Sequence, residues 1–168
     1  MTAAKTKTLV LTALLAALVF VATYTIRIPN PATGGYTHLG DCMIFLSVLL
    51  LGRKHGALAA CIGAGFSDFL AGAPMWILPT MVIKYLMAFI MGTVIKGNPT
   101  NGKLQLIGSV LGGILQVVGY TAVNALYYGK YAAVVSFIPD TIQTAIGVAL
   151  FYILARALAK PLEKFMSK

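Results

Sequence analysis

The sequence predicts an all-α integral membrane protein, one domain over 1–168, built as a bundle of six transmembrane helices with both termini cytoplasmic. Three observations predict it. The chain is 59% hydrophobic and only 10% charged, where soluble domains carry about 25% charged residues. Its mean hydropathy is +0.87. Its basic residues sit at the ends of long apolar runs, which is a topology signal rather than the basic face of a nucleic-acid binder.

The expected spans are 8–26, 39–51, 57–72, 79–95, 104–127 and 134–158. The first follows Lys5 and Lys7, and its apolar run is too long for a signal-peptide core. Ala13 and Ala17 lie four residues apart on one helix face. Such small-residue faces let membrane helices approach closely, within this chain or against a partner. In the loop 27–38, Pro29 and Pro31 disfavour helix and Gly34 and Gly35 permit tight turning. The second run is short for a bilayer crossing of roughly 20 residues, and 52–56 is a basic turn. The third run is rich in Gly and Ala and ends near Asp68. The fourth starts at Pro79, a good first-turn residue, and contains Lys84. The fifth turns polar in its second half, at Gln116, Tyr120, Thr121 and Asn124, before an aromatic band at Tyr127, Tyr128 and Tyr131. The sixth opens with Pro139, Asp140, Thr141, Gln143 and Thr144. With the N-terminus inside, Lys5, Lys7, Arg53, Lys54, Lys96, Lys103, Arg156, Lys160, Lys164 and Lys168 are cytoplasmic, ten of the 13 Lys and Arg. That split satisfies the positive-inside rule.

On this topology His38, Asp41, Asp68, Lys84, Asn124, Asp140 and Gln143 gather toward the outer side. An ionisable residue at membrane depth is a functional-site hypothesis by default, and a set at one depth implies a pocket capped by the 27–38 loop. Each residue has a plainer reading. Lys84 either snorkels to the interface, pairs with Asp68 or Asp140, or contacts ligand. Asp41 caps the second helix. His38 binds ligand or anchors the loop. Asn124 and Gln143 line a polar ring or bond between helices. Trp76 and Tyr120 stack on a flat ligand, or Trp76 belongs to the interface belt. Cys42 and Cys61 lie in apolar runs and read as buried thiols. No spacing marks an enzyme, a nucleotide loop or a metal cluster, so neither catalysis nor a cofactor is expected.

Four stretches carry a resemblance. These are Ala13-Leu14-Leu15-Ala16-Ala17, Gly35-Tyr36-Thr37-His38-Leu39-Gly40-Asp41, the run from Gly63 to Gly72, and Pro79-Thr80-Met81-Val82-Ile83-Lys84. Together they make the chain resemble a substrate-binding S component of an energy-coupling factor (ECF) vitamin transporter, in the hydroxymethylpyrimidine and pyridoxine branch. The resemblance implies a subunit of the bacterial cell membrane that binds a small planar vitamin at the outer side. It implies partners: a membrane coupling subunit, met through Ala13 and Ala17, and two cytosolic ATPases. It makes His38, Trp76, Lys84, Tyr120, Asn124, Asp140 and Gln143 the candidate substrate contacts. Hydroxymethylpyrimidine or pyridoxine is the expected ligand. The alternatives are riboflavin or another vitamin, or a structural membrane protein whose polar residues pair with one another and leave no cavity.

Overall fold

Long apolar stretches with few breakers become helices, because in lipid the backbone must satisfy its own hydrogen bonds. The structure, a computed structural model, describes residues 2–30 and 35–159. Its elements run α1 (Ala3–Thr25), β1 (Arg27–Asn30), β2 (Gly35–His38), α2 (Asp41–Leu70), α3 (Pro74–Val94) and α4 (Gly102–Ala157). Pro31 and Gly34 of the expected loop, and Lys160, Lys164 and Lys168 of the charge count, lie outside the described residues.

The expected six transmembrane helices are corrected to a bundle with four helices long and apolar enough to cross a membrane. Runs 39–51 and 57–72 belong to one helical element, α2, and runs 104–127 and 134–158 to another, α4. The expected turns at 52–56 and after 127 are single glycines rather than loops. Gly52 has φ 72° and Gly129 has φ 85°, left-handed values that cost other residues steric strain. Both elements fold back there. Ser47 Oγ donates to the Gly56 carbonyl at 3.2 Å, and Asn124 Nδ2 donates to Ser136 Oγ at 2.8 Å. In a straight helix the second pair would be about 18 Å apart.

Two further boundaries moved. α3 begins at Pro74, five residues before the expected start, so Pro79 lies inside the helix. The 27–38 loop contains an antiparallel hairpin in which Arg27 pairs with His38 and Pro29 with Tyr36. α4 opens at Asn101, whose side chain accepts from the Lys103 and Leu104 backbone N–H groups, the standard capping geometry.

The core forms where α2 meets α3 and the end of α4. Phe45, Val48, Ala60, Ala64, Met87, Met91 and Phe151 are buried together. Gly63 brings α2 onto α1, since a Cβ there would run into the Ala16 carbonyl oxygen. The outward faces remain apolar, with Leu78, Val118, Leu126 and Ile138 all exposed. That distribution suits lipid rather than water.

Candidate functional site

The hairpin β1–β2 covers one end of the bundle. Beneath it lies a cavity of about 40 Å³, partly open to solvent. Alternation along β2 puts Tyr36 and His38 on one face, with ring centroids 5.9 Å apart, and both line the cavity. Trp76 and Thr80 come from the first turns of α3, Tyr120 and Asn124 from the first arm of α4, and Ser136, Asp140 and Gln143 from its second. The fold-back at Gly129 is what brings the two arms of α4 to one cavity.

Trp76 is buried, not set in an outer belt. Its ring centroid is 6.0 Å from that of Tyr120, 5.9 Å from Tyr127 and 6.3 Å from Tyr128. These separations fall in the favourable range for aromatic pairs. Tyr120 donates to Thr80 Oγ1 at 3.2 Å. Tyr36 donates to Asp68 Oδ1 at 2.6 Å. Burial, then the Asp68 charge, raises the Tyr36 phenol above its ordinary range, so it acts there as a hydrogen-bond donor.

Among the described residues, four polar side-chain atoms on the cavity wall have no hydrogen-bond partner: Thr23 Oγ1, Asp68 Oδ2, Asn124 Oδ1 and Asp140 Oδ2. An unpaired polar atom in a buried place is costly. At a cavity wall it is also available to a ligand.

Six of the seven substrate candidates named from the sequence line this cavity: His38, Trp76, Tyr120, Asn124, Asp140 and Gln143. Lys84 does not. It is fully buried and pairs with Asp41, Nζ to Oδ1 2.5 Å, both side chains being inaccessible. It also donates to Gln116 Oε1, and Nζ lies 5.4 Å from the Tyr120 ring centroid. Asp41 does not cap α2. Gly40 holds the cap position without a side-chain bond, while Asp41 Oδ2 accepts from Gln116 Nε2 at 2.7 Å and Gln143 Nε2 at 3.0 Å. Gly147 makes room for it, since a Cβ there would stand 2.6 Å from the Asp41 Cβ. Gln143 is the link upward, because its Oε1 accepts from the His38 backbone N–H at 2.9 Å. The hairpin is thus tied through one amide to a buried ion pair.

Sequence reasoning missed Thr23, Asn30, Tyr36, Thr37, Thr80 and Ser136 as lining residues. For Tyr36 a signal existed, two residues from His38 in an extended stretch. The hydroxyl residues carry none, since Ser and Thr are ordinary in membrane helices.

His38 gives a pH prediction. Its Nδ1 accepts from the Gly40 N–H at 3.1 Å, a bond open only to the neutral ring. Burial, then the Lys84 charge, lowers its pKa to about 3. An unfolded His protonates near 6.5. Between these values the unfolded state binds more protons, so stability falls as pH drops below about 6.5, by up to about 1.4 kcal/mol per pH unit. Thermal unfolding in detergent from pH 7.5 to 5 should fall more steeply for wild type than for His38→Gln. Equal slopes would show that His38 does not carry the effect.

At the α1–α2 contact, Ala13 and Ala17 face outward. With Leu9, Phe20, Ile62 and Phe66 they line an apolar groove of about 330 Å³. Ala16, between them in sequence, is buried against α2.

Comparison with known proteins places this architecture. A solved structure described as "Structure and mechanism of the S component of a bacterial ECF transporter" superposes with a TM-score of 0.76 at 19% identity, covering 94% of this chain and 98% of that one. It shows a shared fold. An uncharacterised protein from Pyrococcus woesei is 40% identical over 149 residues, 86% of this chain and 99% of the relative. The thiamine precursor transporter HmpT of Lactococcus lactis subsp. cremoris is 24% identical over 159 residues, 94% of this chain and 89% of the relative. The family model described as "ECF-type riboflavin transporter, S component" matches residues 3–160. The hydroxymethylpyrimidine and pyridoxine branch is not the one this model names. The chain therefore belongs to the family of ECF-type riboflavin transporter S components, as a multi-pass membrane protein that is a non-catalytic, vitamin-binding subunit of an ECF-type importer.

Proposed function

We propose that the chain captures a planar heteroaromatic vitamin in the cavity beneath β1–β2 and delivers it to an ATP-driven coupling module. Riboflavin is the leading candidate, because the matching family model is described by that substrate. The observation that carries the reading is the cavity wall, where the Trp76 and Tyr120 rings stand beside unpaired oxygens of Asn124 and Asp140. Rings offer a stacking surface and oxygens fix orientation, the usual division of labour in a small-molecule pocket. Hydroxymethylpyrimidine is the second reading, favoured by the likeness to the Lactococcus thiamine precursor transporter, and pyridoxine belongs in the same test.

The cavity opens to the extracellular side in this account. The basic residues Arg53, Lys54 and Lys96 lie together at the Gly52 turn, as the positive-inside rule asks of a cytoplasmic end. Membership of an ECF importer implies a transmembrane coupling subunit and two ATPases. The exposed Ala13 and Ala17 face is the proposed contact with the coupling subunit.

The test is calorimetric titration of the purified chain with riboflavin, hydroxymethylpyrimidine and pyridoxine. One of them should bind, and Trp76→Ala should weaken it by about 10-fold or more, about 1.4 kcal/mol. A Trp76→Ala protein with wild-type affinity would remove the aromatic wall from the site.

A further inference from the structure

We infer that the cavity sorts its ligands by charge: it accepts a neutral or cationic heterocycle rich in N–H and O–H donors and rejects phosphate esters of the same compounds. This rests on the binding-site reading above and adds to it the class of substrate.

The charges on the page set the preference. Two carboxylates, Asp68 and Asp140, stand on the cavity wall. The nearest buried cation is Lys84, and its charge is already matched by Asp41, with Gln116 taking a further donor bond. Arg27, on β1, stacks its guanidinium over Tyr24 at 4.2 Å and Tyr36 at 5.4 Å and is not part of the wall. His38 lines the cavity as a neutral ring whose Nδ1 already accepts a bond. The wall therefore carries two acidic groups and no lysine or arginine to answer them.

The hydrogen-bonding inventory points the same way. The unpartnered groups of the wall are three acceptors, Asp68 Oδ2, Asn124 Oδ1 and Asp140 Oδ2, against one hydroxyl, Thr23 Oγ1, that can donate or accept. Asn124 and Asp68 are 3% and 5% exposed, too buried for bulk water to satisfy them freely. Two of the wall's side-chain amides, by contrast, already donate, Asn124 Nδ2 to Ser136 and Gln143 Nε2 to Asp41. A ring edge bearing an amine, imide N–H, protonated nitrogen or hydroxyl groups meets those acceptors. A phosphate group adds about 1.5 to 2 negative charges and only acceptor oxygens. Its repulsion from two carboxylates, one of them only 5% exposed, is incompletely screened.

The experiment is calorimetric titration of the purified full chain with three pairs: riboflavin and flavin mononucleotide, hydroxymethylpyrimidine and its phosphate, pyridoxine and its phosphate. The parent compound that binds should exceed its ester by about 100-fold or more in affinity. In Asp140→Asn, checked for folding by its melting temperature, that ratio should shrink by about 10-fold. An ester that binds wild type within about 3-fold of its parent overturns the inference while leaving the binding site standing. A ratio unchanged in both Asp140→Asn and Asp68→Asn also overturns it. Absence of binding by all six compounds overturns the binding-site reading, and this inference with it.

Discussion

Lys84→Ala should destabilise the folded protein by about 3–5 kcal/mol, the usual result of stripping one partner from a buried ion pair. The substitution leaves the Asp41 carboxylate at 0% exposure, still held by two amide donors from Gln116 and Gln143 but with no positive charge opposite. It also frees Gln116 Oε1 and removes the cation beneath the Tyr120 ring. The measurement is unfolding in detergent, followed by intrinsic fluorescence. The double variant Asp41→Asn with Lys84→Met should recover more than half of the loss, since removing both charges together leaves no uncompensated ion. A Lys84→Ala protein that melts like wild type but binds ligand poorly would return Lys84 to the cavity. That second outcome is the ligand-contact reading of Lys84, and its burial against Asp41 supports the first.

Ala17→Trp should reduce vitamin uptake by cells at least about 10-fold while leaving ligand affinity of the purified chain within about 2-fold. The side chain at 17 is exposed and lines the α1–α2 groove. A Trp there fills the groove that a close-packed helix of a coupling subunit would need. The cavity is built mainly from β2, α3 and both arms of α4, with Thr23 of α1, Asn30 of β1 and Asp68 of α2 also on its wall. Uptake in whole cells and titration of the purified subunit separate the two effects. Loss of binding with intact uptake would place Ala17 in the wrong role.

Much of this architecture was legible in the chain. Long apolar runs between basic turns marked the helices, and the depth of polar residues marked one end of the bundle as the site. The number of helices was not legible in the same way. Apolar runs are counted by their breaks, and a break at Gly52 or Gly129 looks like a loop. There a left-handed glycine of non-helical geometry turns the chain directly from one helical run into the next. The start of α3 was misplaced because Pro79 suits a first turn, and Pro74 suits it equally well. The hairpin was hidden by its own composition, since Pro29 and Gly35 read as loop residues until Arg27 is seen paired with His38. Partner choice was the least legible. Asp41 and Lys84 are 43 residues apart, and nothing local favours that pairing over Lys84 with Asp68 or Asp140. What decides it is the approach of Gly147 to Asp41, which sets the carboxylate inside the bundle. Asp68 then turns to Tyr36 instead, and with Asp140 it keeps an oxygen free for the cavity.

The central claim is that the cavity beneath β1–β2 holds a planar vitamin. Mass spectrometry of small molecules retained by the chain, purified from cells grown on rich medium, tests it most directly. Wild type should retain one heteroaromatic compound at close to one per chain, riboflavin foremost, and Trp76→Ala and Asn124→Ala should lose it. A preparation that folds, binds none of the tested vitamins and retains no such compound would contradict it.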